Sequence, residues 1–180
     1  MDRAAWKITS DETCAELIEI LELSDEECQS LAALKPEAEK IALSMSEDFH
    51  ARLLKFDNTK EYFEGIDVKV IDRALADWFI DLFTGVYDET YAKKRIKIGE
   101  VHFKIGLPVR YPLAMLDIVQ EHSQKLLDAS ADPVVANRAF RKILSLDISV
   151  FNQAYENEQL KNLAEMVGGT RLARRLLTGG

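Results

Sequence analysis

The stretch that decides the fold is Tyr91-Ala-Lys-Lys-Arg-Ile-Lys-Ile-Gly-Glu-Val-His-Phe-Lys-Ile-Gly-Leu107. It follows Asp88, whose carboxylate can cap a helix start, and it closes at Gly106-Leu-Pro108, an ordinary helix stop. Side chains at steps of four, three, four and three residues share one face of this helix: Tyr91, Arg95, Ile98, His102 and Ile105. The pattern predicts a helix that turns His102 toward the protein interior.

A glycine on the same face bears on the role of this histidine. Gly99 lies three residues before His102, in a helix interior where glycine costs about 1 kcal/mol relative to alanine. The missing side chain would let a flat ligand approach the backbone beside the imidazole. Gly106 fits the same idea, although its position at the helix end already explains it. From the residue types alone, His102 is either a buried structural histidine, the more frequent case, or a metal or haem ligand.

The segment Leu82-Phe-Thr-Gly-Val-Tyr-Asp88 precedes this helix, and a helix around Phe49 lies further upstream. Together with Tyr91, Arg95, Ile98-Gly99, His102 and Ile105-Gly-Leu107, these residues and their spacing resemble the globin domains of globin-coupled sensors. The resemblance covers roughly residues 25–157. It implies an all-α globin fold that binds haem b (iron protoporphyrin IX), with His102 as the proximal iron ligand.

The resemblance also implies which side chains form the haem pocket. The expected pocket residues are Phe49, His50, Ile71, Ala74, Leu75, Ile98, Gly99, His102, Leu107 and Tyr111. Many relatives carry a tyrosine where His50 stands, and its phenol donates a hydrogen bond to bound oxygen. His50 is therefore expected either to donate that hydrogen bond, the role we favour here, or to bind the iron as a distal ligand. Spacing alone fits a partly exposed histidine at the edge of a core equally well.

Composition limits the class of protein. A chain of 180 residues with 47% hydrophobic and 30% charged residues suits one soluble helical domain with a substantial core. The net charge of −8 argues against a nucleic-acid partner, because phosphate binding needs clustered Lys and Arg. The sequence contains no G-x-S-x-G motif, phosphate-binding glycine loop or H-E-x-x-H motif. It therefore indicates no hydrolase site.

Cysteine use and hydropathy favour a reduced, cytoplasmic chain. Cys14 and Cys28 lack the spacing of metal ligands, and a disulfide between them is the minor alternative. Residues 1–10 contain no apolar run typical of a signal peptide, and no stretch approaches the roughly 20 apolar residues of a membrane span. We therefore expect no membrane partner.

Capping residues and prolines predict the remaining helices. The expected spans are 10–22 with a Thr9/Glu12 capping box, a helix opened by Ser24 and Glu27, a long helix from Pro36 to about Lys55, a helix after Asp67 that reaches Phe83, a helix from about Leu113 to Ala129, and a last helix from Asp132-Pro133 to Tyr155. His122 lies on an apolar seam and is expected to be an interface or core residue rather than a ligand.

We expect residues 1–157 to form a sensor globin domain, with 1–23 as an N-terminal extension helix, and residues 158–180 to form a linker or tail. The resemblance implies a homodimer through the last two long helices. It also implies binding of O2, CO or NO at the iron and signalling to an output domain of the kinase, cyclase or chemotaxis type, without enzymatic activity in these residues. A haem-free globin-like signalling module is the alternative. A haem enzyme acting on O2, NO or peroxide has less support.

Overall fold

A computed structural model describes residues 10–179, and this part of the chain is helical without any strand. The helices are α1 (Ser10–Ile20), α2 (Asp25–Leu53), α3 (Asp57–Lys60), α4 (Val68–Asp81), α5 (Glu89–Lys104), α6 (Arg110–Ala114), α7 (Leu116–Asp128), α8 (Pro133–Val167) and α9 (Thr170–Thr178), with a 3-10 turn at Glu61–Phe63. The expected all-α class is confirmed. Within the described range, no helix has both the length and the apolarity that crossing a membrane requires.

Helix α5 begins and ends where the sequence predicts. The Asp88 carboxylate accepts a hydrogen bond from the Tyr91 amide at 3.0 Å. Gly106 takes a positive φ of 71°, which favours glycine, and the Leu107 amide then bonds to the carbonyl of His102 at 3.0 Å. The inward direction predicted for Ile105 is wrong. This side chain is 49% exposed, because Ile105 is the cap residue at which the chain leaves the helix.

Helix α2 differs from the prediction at Pro36. Ser24 and Glu27 form the expected capping box, whereas Thr9 of the other predicted box lies outside the described residues. Instead of starting a new helix, Pro36 lies inside one continuous helix. An interior proline costs about 3 kcal/mol. Leu31 before the proline and Ala38 after it are both fully buried in the core. Their burial in one continuous helix offsets the cost of the proline.

The core lies where α2 and α8 meet the other long helices. Helix α2 packs against α4, α7 and α8, while α5 packs along α8. Fully buried side chains at these contacts include Met45, Phe79, Phe83, Val119 and Ile143. The turn before α5 also contacts α2 closely, and a Cβ added at Gly85 would lie 2.7 Å from the Cβ of Ala32. These contacts fix the position of α5 and therefore of His102.

The C-terminal half is more helical than predicted. The helix expected from about Leu113 is divided into α6 and α7. Pro112 is the third residue of α6, a position whose backbone amide would have no acceptor within the helix, so the proline is tolerated there. Helix α8 runs to Val167 and ends at Gly168, whose φ is 84°. The expected boundary between residues 157 and 158 therefore lies inside a continuous helix. The last residues form α9, which contacts α8 through the buried Ala173.

Candidate functional site

His102 lies on α5 with one ring nitrogen engaged. Its Nδ1 is 2.8 Å from the carbonyl oxygen of Ile98, one turn earlier. Because a carbonyl only accepts hydrogen bonds, Nδ1 carries the proton and the lone pair is on Nε2. Burial lowers the pKa of His102, and the bond to Ile98 opposes this only in part. The neutral imidazole thus presents an Nε2 that bonds to no residue in the described part of the chain, and this is the form that binds a metal ion.

The ring of His102 packs edge-on against Phe151 of α8, with 5.5 Å between the ring centroids. Gly99 faces the same helix. A Cβ at position 99 would lie 2.5 Å from the Cβ of Ala154 and 2.9 Å from the carbonyl oxygen of Phe151. The interpretation that Gly99 leaves space for a flat ligand is therefore wrong. Its missing side chain is what allows α5 and α8 to touch beside His102.

His50 lies on α2 and is only 3% exposed, so the alternative of a partly exposed histidine is wrong. Its Nδ1 hydrogen-bonds to Oδ1 of Asp72 on α4. The rings of Phe49 and Phe63 stand edge-on to the imidazole, at centroid distances of 5.7 Å and 5.4 Å. Ser46 donates a hydrogen bond to the Asp72 carbonyl at 2.9 Å. The α2–α4 contact therefore holds a polar cluster within an apolar surround.

Asp72, Ser46 and Phe63 are absent from the set of site residues predicted from sequence. A signal for Asp72 exists, because Asp72, Ala76 and Phe79 are spaced by four and three residues and form the buried face of α4. A carboxylate on such a face needs a partner. Nothing local in the sequence indicates that His50 is that partner.

The other predicted pocket residues lie on α2, α4, α5 and the segment that joins α5 to α6. Half-buried side chains among them are Phe49, Ile71, Leu75, Ile98, Leu107 and Tyr111, while Ala74 is exposed. On α4, Ile71, Ala74 and Leu75 share one face that other residues leave partly uncovered. Two features suit an apolar ring system that carries a metal: an incompletely covered apolar face on α4, the helix whose Asp72 bonds to His50, and a half-buried His102 on α5 whose Nδ1 is engaged. The residues present therefore fit a haem.

Two phenols hold the segment that follows α5. The hydroxyl of Tyr62 donates to the carbonyl of Gly106 at 3.2 Å, and the hydroxyl of Tyr155 donates to the carbonyl of Leu107 at 2.9 Å. The first phenol comes from the 3-10 turn and the second from α8. This segment is consequently fixed from two sides immediately after the helix that carries His102.

A buried ionic cluster lies on the same face of α5 as His102. It was not predicted from the sequence. Arg95 is 1% exposed, and its Nε donates to Oδ1 of Asp147 on α8. The same carboxylate accepts hydrogen bonds from the Tyr91 hydroxyl at 2.7 Å and from the Trp78 indole at 2.9 Å. The cluster joins α4, α5 and α8 about two turns from His102.

His122 is not part of the site. It is half-buried on α7, and its Nε2 lies 2.9 Å from a carboxylate oxygen of Asp48 on α2. This agrees with the expectation of a core or interface residue and leaves His102 and His50 as the two histidines of the candidate site.

Comparison with known proteins shows similarity to a family, to a transducer and to a solved globin domain. Residues 10–161 match the family model described as Protoglobin. The haem-based aerotactic transducer HemAT of Halobacterium salinarum is 31% identical over 127 residues, 69% of this chain and 25% of that protein. The chain thus spans about a quarter of the length of that relative. The globin domain of the Geobacter sulfurreducens globin-coupled sensor has a TM-score of 0.73 and 26% identity, over 78% of this chain and 96% of that chain.

Proposed function

Because the chain belongs to the Protoglobin family, we propose that it binds haem b and senses a diatomic gas, with O2 as the expected ligand. Its similarity to an aerotactic transducer and to a sensor globin supports a sensory rather than an enzymatic role. The observation that carries the proposal is the geometry of His102. Its Nδ1 is bonded to Ile98 and its Nε2 is free, in a neutral and half-buried ring.

His102 would hold the iron, and the half-buried apolar side chains of α2, α4 and α5 would cover the ring. The haem iron supplies a coordination position that O2, CO or NO can occupy. The residues of this chain do the rest. Ile98 fixes the tautomer and orientation of His102, and Phe151 supports the imidazole from α8. Ile71 and Leu75, half-buried on α4, would exclude water from the bound ring.

The route of the signal and the assembly also belong to the proposal. We propose that residues 1–157 form the sensor, that residues 158–180 lead to an output domain, and that two copies associate as a homodimer through their last long helices. HemAT, of which the chain matches a quarter, is a transducer and thus carries further sequence beyond the matched part. Gas binding would have to favour one of two arrangements of these helices, because a ligand shifts an equilibrium only by its difference in affinity.

The ultraviolet–visible spectrum of the purified protein, ferric and dithionite-reduced, tests this function. We expect a Soret band in the wild type and its loss or marked shift in His102→Ala, with recovery when free imidazole is added. His122→Ala is the matched control, since His122 is also a half-buried histidine bonded to another group, and its spectrum should equal that of the wild type. The reduced protein should shift its Soret band on exposure to O2 and to CO.

Absence of a Soret band after expression with ample haem would refute haem binding and would favour the haem-free signalling module. Steady-state turnover of peroxide or nitric oxide by the purified protein would instead favour a haem enzyme. The sensor proposal predicts that neither compound is turned over beyond the rate of free haem.

A further inference from the structure

The two histidines of the candidate site share an arrangement. In each of them Nδ1 donates a hydrogen bond to an oxygen that can only accept one. The acceptor is the carbonyl of Ile98 for His102 and the carboxylate of Asp72 for His50. In the neutral form of each ring the proton is then on Nδ1 and the lone pair is on Nε2. Histidines that bind metals in proteins are typically held in this way.

The Nε2 atom of His50 is available. Among residues 12–179, no side chain or backbone group forms a hydrogen bond with it. The same range contains no fully buried side-chain nitrogen or oxygen without a hydrogen-bond partner. Since His50 is 3% exposed, the small accessible part of this ring must include Nε2. The described residues therefore do not enclose Nε2 completely.

Asp72 is itself held in place. It is 9% exposed at the α2–α4 contact. The Ser46 hydroxyl lies 2.9 Å from its carbonyl oxygen and 3.1 Å from the Oδ1 that His50 contacts. The carboxylate consequently keeps its orientation toward Nδ1. A neutral hydroxyl and an apolar surround leave His50 as the main partner of this buried carboxylate.

We propose that Asp72 is a positioning residue that fixes the Nδ1-protonated tautomer of His50, so that His50 would hold the haem iron together with His102 in the gas-free protein. This inference rests on the proposed haem function. A lone pair on Nε2 can bind iron, but it cannot donate a hydrogen bond to bound O2. The tautomer therefore favours iron ligation over the hydrogen-bonding role expected from the sequence. His50 held in this way would compete with a gas for the iron and would lower the apparent affinity of the protein for that gas.

The experiment uses the haem-loaded full chain and compares the wild type with His50→Ala, Asp72→Asn, Ser46→Ala and the control Asp77→Asn, an exposed carboxylate on the same helix. Absorption and resonance Raman spectra of the reduced proteins report the coordination number. We expect six-coordinate iron in the wild type and in Asp77→Asn, and five-coordinate iron in His50→Ala. Asp72→Asn should give a mixture and a CO association rate at least about tenfold faster than wild type, because an asparagine amide can donate to Nδ1 and select the other tautomer.

A second measurement separates positioning from a structural role. ¹⁵N NMR of the diamagnetic CO-bound protein identifies which nitrogen of His50 is protonated. We expect Nδ1 in the wild type and in Asp77→Asn, and a shift toward Nε2 in Asp72→Asn. Ser46→Ala keeps the carboxylate, so it should retain the tautomer while raising the CO association rate less than Asp72→Asn does. Circular dichroism confirms that each variant is folded.

A five-coordinate reduced wild type would overturn the inference while leaving the haem function intact. Six-coordinate iron that persists in Asp72→Asn, with Nδ1 still protonated, would leave His50 as a ligand but would overturn the role of Asp72. Absence of any Soret band would refute the proposed function itself, and the inference with it.

Discussion

At Gly99 the backbone of α5 meets α8, with room for no more than a hydrogen atom. Gly99→Ala would improve helix propensity by about 1 kcal/mol. We nevertheless expect a net destabilisation of about 1–3 kcal/mol, because the new methyl group would lie 2.5 Å from the Cβ of Ala154 and 2.9 Å from the carbonyl of Phe151. Urea unfolding followed by circular dichroism measures the difference.

The variant Gly99→Ala/Ala154→Gly provides the control for this contact. It removes the clash between the two Cβ atoms but not the approach to the carbonyl of Phe151. The double variant should therefore be more stable than the sum of the two single changes predicts. A Gly99→Ala protein at least as stable as the wild type would show that α5 and α8 can separate without cost.

The orientation of His102 could be predicted because it depends on local information. Asp88 and Gly106 set the two ends of α5, and the helical period then places His102 on the same face as Tyr91 and Arg95. The partner of His50 could not be predicted in this way. Asp72 is 22 residues further along, and only the packing of α4 on α2 brings the carboxylate to the imidazole.

Among the helices, α5 and α8 are joined by the buried pair of Arg95 and Asp147. Removing one member of such a buried pair typically costs 3–5 kcal/mol, and Arg95 would keep only the Asp81 carboxylate, 3.2 Å from its Nη1, as a partner. We expect Asp147→Asn to lose about that much stability, since Tyr91 and Trp78 would also lose their charged acceptor. Chemical denaturation of the haem-loaded protein measures the loss.

A double-mutant cycle with Arg95→Met tests whether the stability lost in Asp147→Asn comes from the interaction between Arg95 and Asp147. The combined variant should be more stable than the sum of the single losses predicts, because no unpaired charge remains. Lys94→Met is the control. Lys94 makes an exposed ion pair with Asp81, and such a pair contributes only about 0–1 kcal/mol. Equal losses in Lys94→Met and Asp147→Asn would contradict the assignment.

Helix boundaries were the least predictable elements. Pro36 is a usual first-turn residue, so the sequence favours a helix start there. The buried stripe of α2 continues past it, however, and tertiary burial outweighs the lost hydrogen bond. The polar composition after Tyr155 similarly suggests that α8 ends early, but the helix runs to Val167 with α9 against it. Such contacts between helices are not visible in a local pattern.

At the scale of the whole molecule, Glu27 ties the N-terminal end of α2 to α8. It is 1% exposed and accepts hydrogen bonds from Arg138 at 2.6 Å and from Lys142 at 2.8 Å. Burial acts to raise the pKa of Glu27, but the bonds from Lys142, the Ser24 amide and Arg138 lower it to about 2. Its unfolded value is near 4.5. The carboxylate therefore contributes stability above about pH 4.5, and this contribution is lost as the pH falls toward 2.

We expect Glu27→Gln to be less stable than the wild type at pH 7, by roughly 3 kcal/mol at most. The difference should shrink steadily below about pH 4.5. Urea unfolding between pH 7 and pH 3 measures it, with Glu26→Gln as the exposed neighbouring control. A difference that stays constant across this range would mean that the charge of Glu27 does not stabilise the fold.

The overall architecture followed from helical periodicity and from the family resemblance, which agree with the helical structure and with the TM-score of 0.73 to a sensor globin. The division at residue 157 and the homodimer stay proposals. Exposed apolar side chains near the C-terminal end are Met166, Leu172, Leu176 and Leu177. The helical pattern alone does not show whether such residues face solvent or a second subunit.

The length of α8 has a mechanical consequence. Phe151, which contacts the ring of His102, lies near the middle of this helix, and Val167 lies roughly sixteen residues further along, or about 24 Å at 1.5 Å per residue. If the chain signals as proposed, α8 would carry a displacement from beside the imidazole to the C-terminal end of the helix. A swing of about five degrees at Phe151 displaces Val167 by about 2 Å. The number of residues between these two positions would thus set the size of the displacement at Val167, independently of the chemistry at His102.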